Sequence, residues 1–231
     1  DWSSDVCSSD LDGKSKVDGT AEYVDDYLFD GVWYGRTLRS PIPHGIFESL
    51  EFDEHFDWSD VIVATAHDLP GSNHVALMVP DQPVLVPLLG TIKHAEEGLA
   101  ILAAPTKQKV NAALNSLKPK ISPLKPVLSL NEAMSGEINV QNTDNVLRQL
   151  EFSRGEVDIE VALARCDHVI EGLYTTGPQE QMYIEPQGIV AWWNENTCHV
   201  QGSMQCPYFV HRALKEIYRS EEHTSELQSR Q

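Results

Sequence analysis

The chain has 231 residues, of which 41% are hydrophobic and 23% are charged, and its formal net charge at pH 7 is −18. An acidic protein repels phosphate backbones and anionic lipid, so this charge argues against nucleic acid and membrane surfaces as partners. No apolar run reaches the roughly 20 residues of a membrane helix. The scattered cysteines form neither a disulfide framework nor a CxxC metal site, so we expect a protein of the reducing cytoplasm.

The two ends of the chain encode one DNA sequence read in opposite directions. The opening stretch, DWSSDVCSSDL, back-translates to a DNA strand whose reverse complement encodes RSEEHTSELQS, residues 219–229. Two ends of a natural gene have no reason to be complementary. We therefore interpret residues 1–11 and 219–231 as non-native, adapter-derived tails and expect them to be disordered. Without the tails, 15 basic and 29 acidic residues remain, a net charge of −14.

The first half of the remaining chain mixes strand and helix patterns. Residues 31–40 and 45–52 are rich in β-forming residues on either side of the breakers of PIPHG, and we predict that they pair with each other. Continuous apolar runs predict a buried strand at 60–66 and another strand at 98–104. A proline followed by helical apolar spacing predicts a helix over 105–117. The proline-spaced stretch KPKISPLKPV then predicts an irregular edge strand.

The second half begins with a polar segment, residues 135–149, that lacks sustained periodicity and is the best linker candidate. The patterns after it predict a helix over 155–166 with its apolar residues inward, a strand over 167–177 and a hairpin about Asn194-Glu195-Asn196. Helical spacing predicts a final helix over 207–218. Strands and helices without steady βαβ alternation indicate the α+β fold class.

Two stretches carry the candidate chemistry, since no phosphate-binding glycine loop, HExxH, GxSxG or paired CxxC motif occurs in the sequence. TGPQEQMYIEPQG, residues 176–188, alternates hydrogen-bonding residues with large apolar ones. GSMQCP, residues 202–207, places Gln205 between a strand end and a helix start, where backbone N–H groups and a neutral amide can face an anionic or oxo-bearing ligand. The residues alone favour the simpler interpretation, in which Gln205 satisfies backbone groups at the helix entry.

Seven motifs, however, stand in the order of a known family: GTAEYVDDY, LRSPIPHG, DLPGSN, KHAEEGLAILAA, ARCDHVIEG, TGPQEQMYIEP and GSMQCPYFVHRAL. Together they resemble the molybdenum-binding subunit of the xanthine dehydrogenase and aldehyde oxidase family over residues 12–218. The resemblance implies a hammerhead domain at residues 12–134, the linker at 135–149, and the truncated start of a molybdopterin-binding domain at 150–218. One departure is Glu97-Gly98, where the family has Gly-Glu-Pro.

The resemblance implies a molybdenum hydroxylase, which uses water to hydroxylate an electron-poor carbon of an N-heterocycle or aldehyde. It implies molybdenum–molybdopterin as cofactor, 2Fe-2S and FAD in partner domains or subunits, and a dimeric complete enzyme. Gln205 would donate a hydrogen bond to the apical oxo ligand, because an amide N–H does so without adding charge beside the metal. Leu77 and Met78 would line the substrate funnel. The purine-oxidising members have phenylalanine in place of Met78, which leaves purine in doubt as the substrate.

The stretch 176–188 would pack under the cofactor. Its polar residues would hold neighbouring backbone and its apolar residues would anchor it to the core; the former are Gln179, Glu180 and Glu185, the latter Met182, Tyr183 and Ile184. The family's catalytic glutamate lies beyond Tyr218, so no catalytic or metal-ligating residue is assigned and the chain should be inert by itself. The alternative is a non-enzymatic α+β binding or assembly module without metal, and the intact GSMQCP turn favours the enzyme.

Overall fold

The computed structural model describes residues 13–75, 81–140, 144–155, 158–180, 182, 187–204, 206–219 and 225–229. The chain divides into two compact units, one formed by Asp1–Pro126 together with Glu185–Gln231 and the other by Val127–Ile184. Among the described residues, the second unit holds two short helices and no strand. All strands belong to the first unit.

The helices and strands follow in a mixed order. They are α1 (Gly13–Asp18), β1 (Tyr34–Arg39), β2 (Gly45–Phe52), β3 (Ile62–Ala64), β4 (His74–Val75), β5 (Gln82–Pro83), β6 (Thr91–Ile92), β7 (Gly98–Ala104), α2 (Lys107–Ser116), β8 (Leu117–Pro123), α3 (Leu130–Ser135), α4 (Ile159–Leu163), β9 (Ile189–Asn194), β10 (Thr197–Gly202), α5 (Pro207–Tyr218) and β11 (Ser225–Ser229). Single-turn 3-10 helices cover Val24–Asp26 and Ala66–Asp68.

The strands form small sheets. Three sheets have three strands each, in the orders β1-β7-β3, β6-β2-β8 and β11-β10-β9, and β4 pairs with β5. Every pair is antiparallel except β10 with β11. Short antiparallel sheets combined with helices confirm the α+β fold class. No helix in the described part of the chain is both long and apolar enough to cross a membrane.

The strands at 31–40 and 45–52 exist, but the prediction that they pair with each other is wrong. β1 pairs with β7, and β2 pairs with β6 and β8. The segment between β1 and β2 is hydrogen-bonded at its two ends to different parts of the chain. The Ser40 N–H donates to the Glu97 carbonyl at 2.8 Å, and the His44 carbonyl accepts the Leu124 N–H at 3.0 Å. PIPHG therefore carries the chain from one sheet to another instead of closing a hairpin.

The core of the first unit lies where α2 packs against β1, β7 and β8. As the apolar spacing predicts, α2 buries Val110 and Ala113. The helix begins later than predicted, because the Thr106 side chain caps it by accepting the Lys109 N–H at 3.0 Å. The full buried cluster contains Leu38, Phe47, Val86, Ile92, Leu99, Ala100, Leu102, Ala104, Val110, Ala113 and Leu117.

The edge strands differ in how well the sequence predicted them. β8 pairs with β2 at a sheet edge, which confirms the irregular edge strand with its prolines. β3 is also an edge strand, and it covers only three residues of the predicted 60–66. Ile62 is 56% exposed. The prediction of a buried strand there is therefore wrong, because among the described residues β3 has a neighbouring strand on one side only.

The departure at Glu97 has a structural explanation. This residue is 6% exposed, and its Oε2 accepts the Lys93 N–H at 2.7 Å. Its Oε1 lies 3.8 Å from His94 Nε2. The buried carboxylate therefore closes the turn between β6 and β7 with a charge-assisted backbone hydrogen bond.

The second unit is less regular than the sequence predicts. α4 covers only part of the predicted helix, and its Val161 and Leu163 are 38% and 39% exposed, so they do not face a core. Residues 167–177 form no strand. This prediction is wrong because a strand needs a neighbouring edge for its N–H and C=O groups, and the described residues of this unit provide none.

Part of the C-terminal tail is structured. β11 pairs in parallel with β10, with Cys198 opposite Ser225 and Gly202 opposite Ser229. Main-chain pairing at an open sheet edge requires no particular side chains. The expectation of disorder is therefore wrong for these residues, whereas the adapter origin of the tails stays a prediction.

Limited digestion with trypsin should cut first after Arg148, inside the proposed linker. Arg148 is exposed, and the surrounding residues 144–155 have no regular secondary structure. Lys118 and Lys120 in β8 should be cut later, because cleavage there requires the strand to unpair. Mass spectrometry of the earliest products checks the order. Early cuts within β8 or α2 would contradict the proposed linker at 135–149.

Candidate cofactor site

The hairpin that precedes GSMQCP forms where the sequence predicts it. β9 and β10 pair antiparallel about Glu195, which has the left-handed φ of 50°. Trp192 lies opposite His199, and their rings stack 5.1 Å apart at an interplanar angle of 6°. The hairpin thus leads directly from the end of the stretch 176–188 to GSMQCP.

One face of the hairpin is covered by the end of the GTAEYVDDY motif and the residues directly after it. Gln201 Nε2 donates to the Tyr27 hydroxyl at 2.6 Å. The Phe29 ring lies 5.4 Å from Trp192. Side chains alternate between the faces of a strand, so Gln201 and His199 share this face. The N-terminal segment therefore braces β10 immediately before GSMQCP.

The opposite face of the hairpin contacts the end of α5. The Trp193 and Tyr218 rings meet edge to face at 5.7 Å. Burial raises the pKa of the Cys198 thiol. Burial, and after it the charge of Cys198, also raises the pKa of the Tyr218 hydroxyl. Both groups are therefore neutral at pH 7 and add no charge to this side of the hairpin.

Two glycines bring the two candidate stretches together. Gly188 ends one stretch and Gly202 begins the other, and a Cβ on Gly202 would lie 2.2 Å from the Gly188 carbonyl oxygen. A Cβ on Gly188 would lie 2.9 Å from Val24 Cγ1. Cβ atoms do not tolerate the first distance, so position 202 requires glycine. GSMQCP and the end of TGPQEQMYIEPQG therefore meet at one end of the hairpin.

The N-cap residue of α5 does not cap the helix with its own side chain. Cys206 occupies the N-cap position without a side-chain capping bond, and Pro207 is in the first turn. The Phe209 N–H donates to the Cys206 carbonyl at 3.1 Å. The first N–H groups and the positive end of the helix dipole favour an acceptor at this place. This donor set fits an anionic or oxo-bearing group next to position 205.

The predicted site residues Gln205, Leu77 and Met78 lie outside the described residues. The flanks of Gln205 are as predicted: β10 ends at Gly202 and α5 begins at Pro207. Leu77 and Met78 fall between β4 and β5. Within the described ranges, no group of three or more His, Cys, Asp or Glu side chains is arranged to hold a metal ion.

The described part of the stretch 176–188 does not anchor to a core. Met182 is 80% exposed with a φ of 54°, and Gln179 and Glu180 are exposed. The prediction that Met182 is an anchor is therefore wrong, because its unit offers no sheet among the described residues to pack against. Tyr183, Ile184 and Glu185 lie outside the described residues, and their roles stay predictions.

The sequence did not indicate three residues that make long-range contacts around the site: Tyr27, Gly202, and Gly71, where a Cβ would lie 2.2 Å from the Glu216 carbonyl oxygen in α5. An isolated glycine at a strand end often marks a close backbone approach, which could have indicated Gly202. The Pro-Gly pair in DLPGSN marked a turn but not what the turn touches. Tyr27 ends the GTAEYVDDY motif, but nothing in that motif indicates its partner, which is 174 residues away.

Both parts of the chain match known domains. Residues 18–124 match the a/b hammerhead domain of aldehyde oxidase and xanthine dehydrogenase, and residues 138–230 match the molybdopterin cofactor-binding domain. The second match includes most of the predicted adapter-derived tail. These two domains are those of the molybdopterin-dependent oxidoreductases. The chain belongs to the aldehyde oxidase and xanthine dehydrogenase family, in its molybdenum-binding part.

Relatives and solved structures agree with this membership. A probable xanthine dehydrogenase subunit of Bacillus subtilis is 31% identical over 182 residues, which are 78% of this chain and 24% of that protein. The nicotinate dehydrogenase large molybdopterin subunit of Eubacterium barkeri is 28% identical over 204 residues, 86% of this chain and 47% of that protein. This chain therefore spans less than half of each of these relatives.

The fold is shared with the aldehyde oxidoreductase of Desulfovibrio gigas, with a TM-score of 0.83 at 21% identity over 93% of this chain and 25% of that one. Quinoline 2-oxidoreductase from Pseudomonas putida 86 gives a TM-score of 0.79 at 20% identity, over 95% of this chain and 29% of that one. At such identities, the likeness concerns the fold.

Proposed function

We propose that this chain is part of a molybdenum hydroxylase that uses water to hydroxylate an electron-poor carbon of an N-heterocycle or an aldehyde. One observation supports the proposal: GSMQCP meets the end of TGPQEQMYIEPQG through Gly202 and Gly188, directly before the start of α5. Family membership supplies the chemistry to which this arrangement is suited. We expect the chain by itself to be inert, since the family's catalytic glutamate lies beyond Tyr218.

The residues at the start of α5 fit a molybdopterin cofactor, because the N–H groups of a helix start and a neutral amide are donors suited to oxo and phosphate oxygens. When bound, molybdenum–molybdopterin supplies the redox chemistry of the hydroxylation. Gln205 would donate its amide N–H to an oxo group of the cofactor and so help to hold it. The helix start would favour negative charge at the same end of the hairpin.

Substrate binding, electron transfer and assembly would involve other residues of this chain and other domains or subunits. Leu77 and Met78 would line the approach of the heterocycle or aldehyde, and their apolar side chains would exclude water from it. Iron–sulfur and FAD domains or subunits would accept the electrons. The complete enzyme would be a cytoplasmic dimer, and neither nucleic acid nor a membrane would be a partner.

Cys206 provides a test at the residue next to Gln205. Its thiol is exposed, as is that of Cys166, which serves as the internal control. In the complete protein, a bound cofactor should slow alkylation of Cys206 several-fold relative to the cofactor-free form, because it covers the start of α5. Cys166 should react at the same rate in both forms. Mass spectrometry of the alkylated peptides gives both rates.

Equal alkylation of Cys206 with and without cofactor would place the cofactor elsewhere. The alternative function, a binding or assembly module, makes a different prediction. Such a protein would contain no molybdenum when the complete chain is produced in a host that makes the cofactor. Metal analysis of the purified protein therefore separates the enzyme from the module.

A further inference from the structure

The end of α5 distant from GSMQCP rests on a second close backbone contact. Gly71, in the DLPGSN turn, lies against the last turn of the helix. A Cβ on Gly71 would lie 2.2 Å from the Glu216 carbonyl oxygen and 2.4 Å from the Ile217 carbonyl oxygen. The Ser72 N–H donates to the same Glu216 carbonyl at 3.0 Å. The last carbonyls of a helix lack intrahelical partners, so this turn satisfies one of them.

The DLPGSN turn is itself tied to the body of the unit. Asn73 Nδ2 donates to the Leu85 carbonyl at 2.7 Å, and Asn73 Oδ1 accepts the Leu85 N–H at 3.1 Å. Leu85 is 2% exposed. Two hydrogen bonds to a buried residue restrict the movement of the turn, so the turn supports the last turn of α5 in a fixed position.

The DLPGSN turn precedes one proposed functional segment in the chain and contacts the helix that follows the other. The turn continues into β4, and the segment with Leu77 and Met78 follows β4 directly. Gln205 stands just before the N-terminus of α5. The DLPGSN turn therefore contacts the last turn of the helix whose first turn is proposed to face the cofactor.

We propose that Gly71 is a positioning residue for the reaction, because it holds the last turn of α5 and thereby sets where the first turn, which is proposed to face the cofactor, lies. This inference rests on the proposed function. The helix has 12 residues, so at about 1.5 Å per residue it is roughly 18 Å long. If a helix of this length moves as a rigid body, a shift at its last turn also displaces its first turn. A misplacement of about 1 Å at a reacting centre can lower the rate on the order of a hundredfold.

The test compares Gly71→Ala with Gly35→Ala in the complete enzyme. Gly35 is a matched control, because a Cβ there would meet only the Leu102 carbonyl oxygen, at 3.9 Å. Gly71→Ala should lower kcat per bound molybdenum on the order of tenfold to a hundredfold and raise KM for the substrate. Gly35→Ala should leave both unchanged. In the present chain, Gly71→Ala should also accelerate hydrogen exchange in the last turn of α5.

Several outcomes decide between the interpretations. Unchanged kcat per molybdenum and unchanged KM in Gly71→Ala, even with lower stability, would overturn the inference. If Gln205→Ala lowers turnover and Gly71→Ala does not, only the positioning role of Gly71 is wrong. If Gln205→Ala keeps full turnover, the proposed cofactor site itself is wrong. If Gly71→Ala does not fold, Ser72→Pro removes the N–H that bonds Glu216 without adding an atom to Gly71. It should change kcat and KM in the same direction, and normal values would again overturn the inference.

Discussion

Replacing Phe47 with alanine is expected to lower the free energy of unfolding by about 3–5 kcal/mol. Phe47 lies in the central strand β2, is 0% exposed and belongs to the buried cluster of the first unit. Its N–H donates to the Gly90 carbonyl at 3.0 Å, and its carbonyl accepts the Leu89 N–H at 2.7 Å. These backbone bonds remain in the variant, so the surroundings cannot collapse freely into the cavity.

Phe52 provides a matched control at the end of the same strand. It is 48% exposed and meets the Trp58 ring edge to face at 4.9 Å. Phe52→Ala should therefore cost much less, about the 0.5–1.5 kcal/mol of an aromatic pair together with a partial loss of burial. Urea unfolding followed by tryptophan fluorescence measures both variants. A loss in Phe47→Ala no larger than that in Phe52→Ala would contradict the central position of Phe47.

Replacing Gln205 with alanine in the complete enzyme should lower turnover by about tenfold to a hundredfold. The substitution removes one hydrogen bond to a charged centre, worth roughly 1.5–3 kcal/mol, and leaves the fold intact. Gln205→Glu should be worse, because it places a carboxylate beside an electron-rich oxo ligand and lowers the reduction potential of the metal. Steady-state turnover and molybdenum content are the measurements for both variants.

The control for Gln205 is Gln108→Ala, which removes an exposed glutamine from α2. It should retain full turnover and full metal content. Full activity and full metal content in Gln205→Ala as well would mean that Gln205 only satisfies backbone groups at the helix entry. The proposed cofactor contact would then be wrong, although the family membership would stand.

Local patterns predicted the elements that depend on few distant partners. The α2 helix, the β9–β10 hairpin and α5 all formed where their periodicity and turn residues indicated, since each satisfies most of its own backbone hydrogen bonds. The strand at 167–177 failed for the opposite reason, because a strand exists only if another segment supplies an edge. The flanks of the candidate site follow the same rule: β10 ends at Gly202 and α5 begins at Pro207, as the sequence indicated.

By itself, the sequence determined the family, the α+β class and the position of Gln205 between a strand and a helix, because ordered motifs and local periodicity carry that information. Only the tertiary structure decided that β1 and β2 enter different sheets, and that Gly71 and Tyr27 brace the elements around the candidate site. These contacts join residues far apart in the chain, such as the Gln201–Tyr27 bond across 174 positions. A contact of this kind depends on how whole elements pack, and it leaves no periodic trace in either segment.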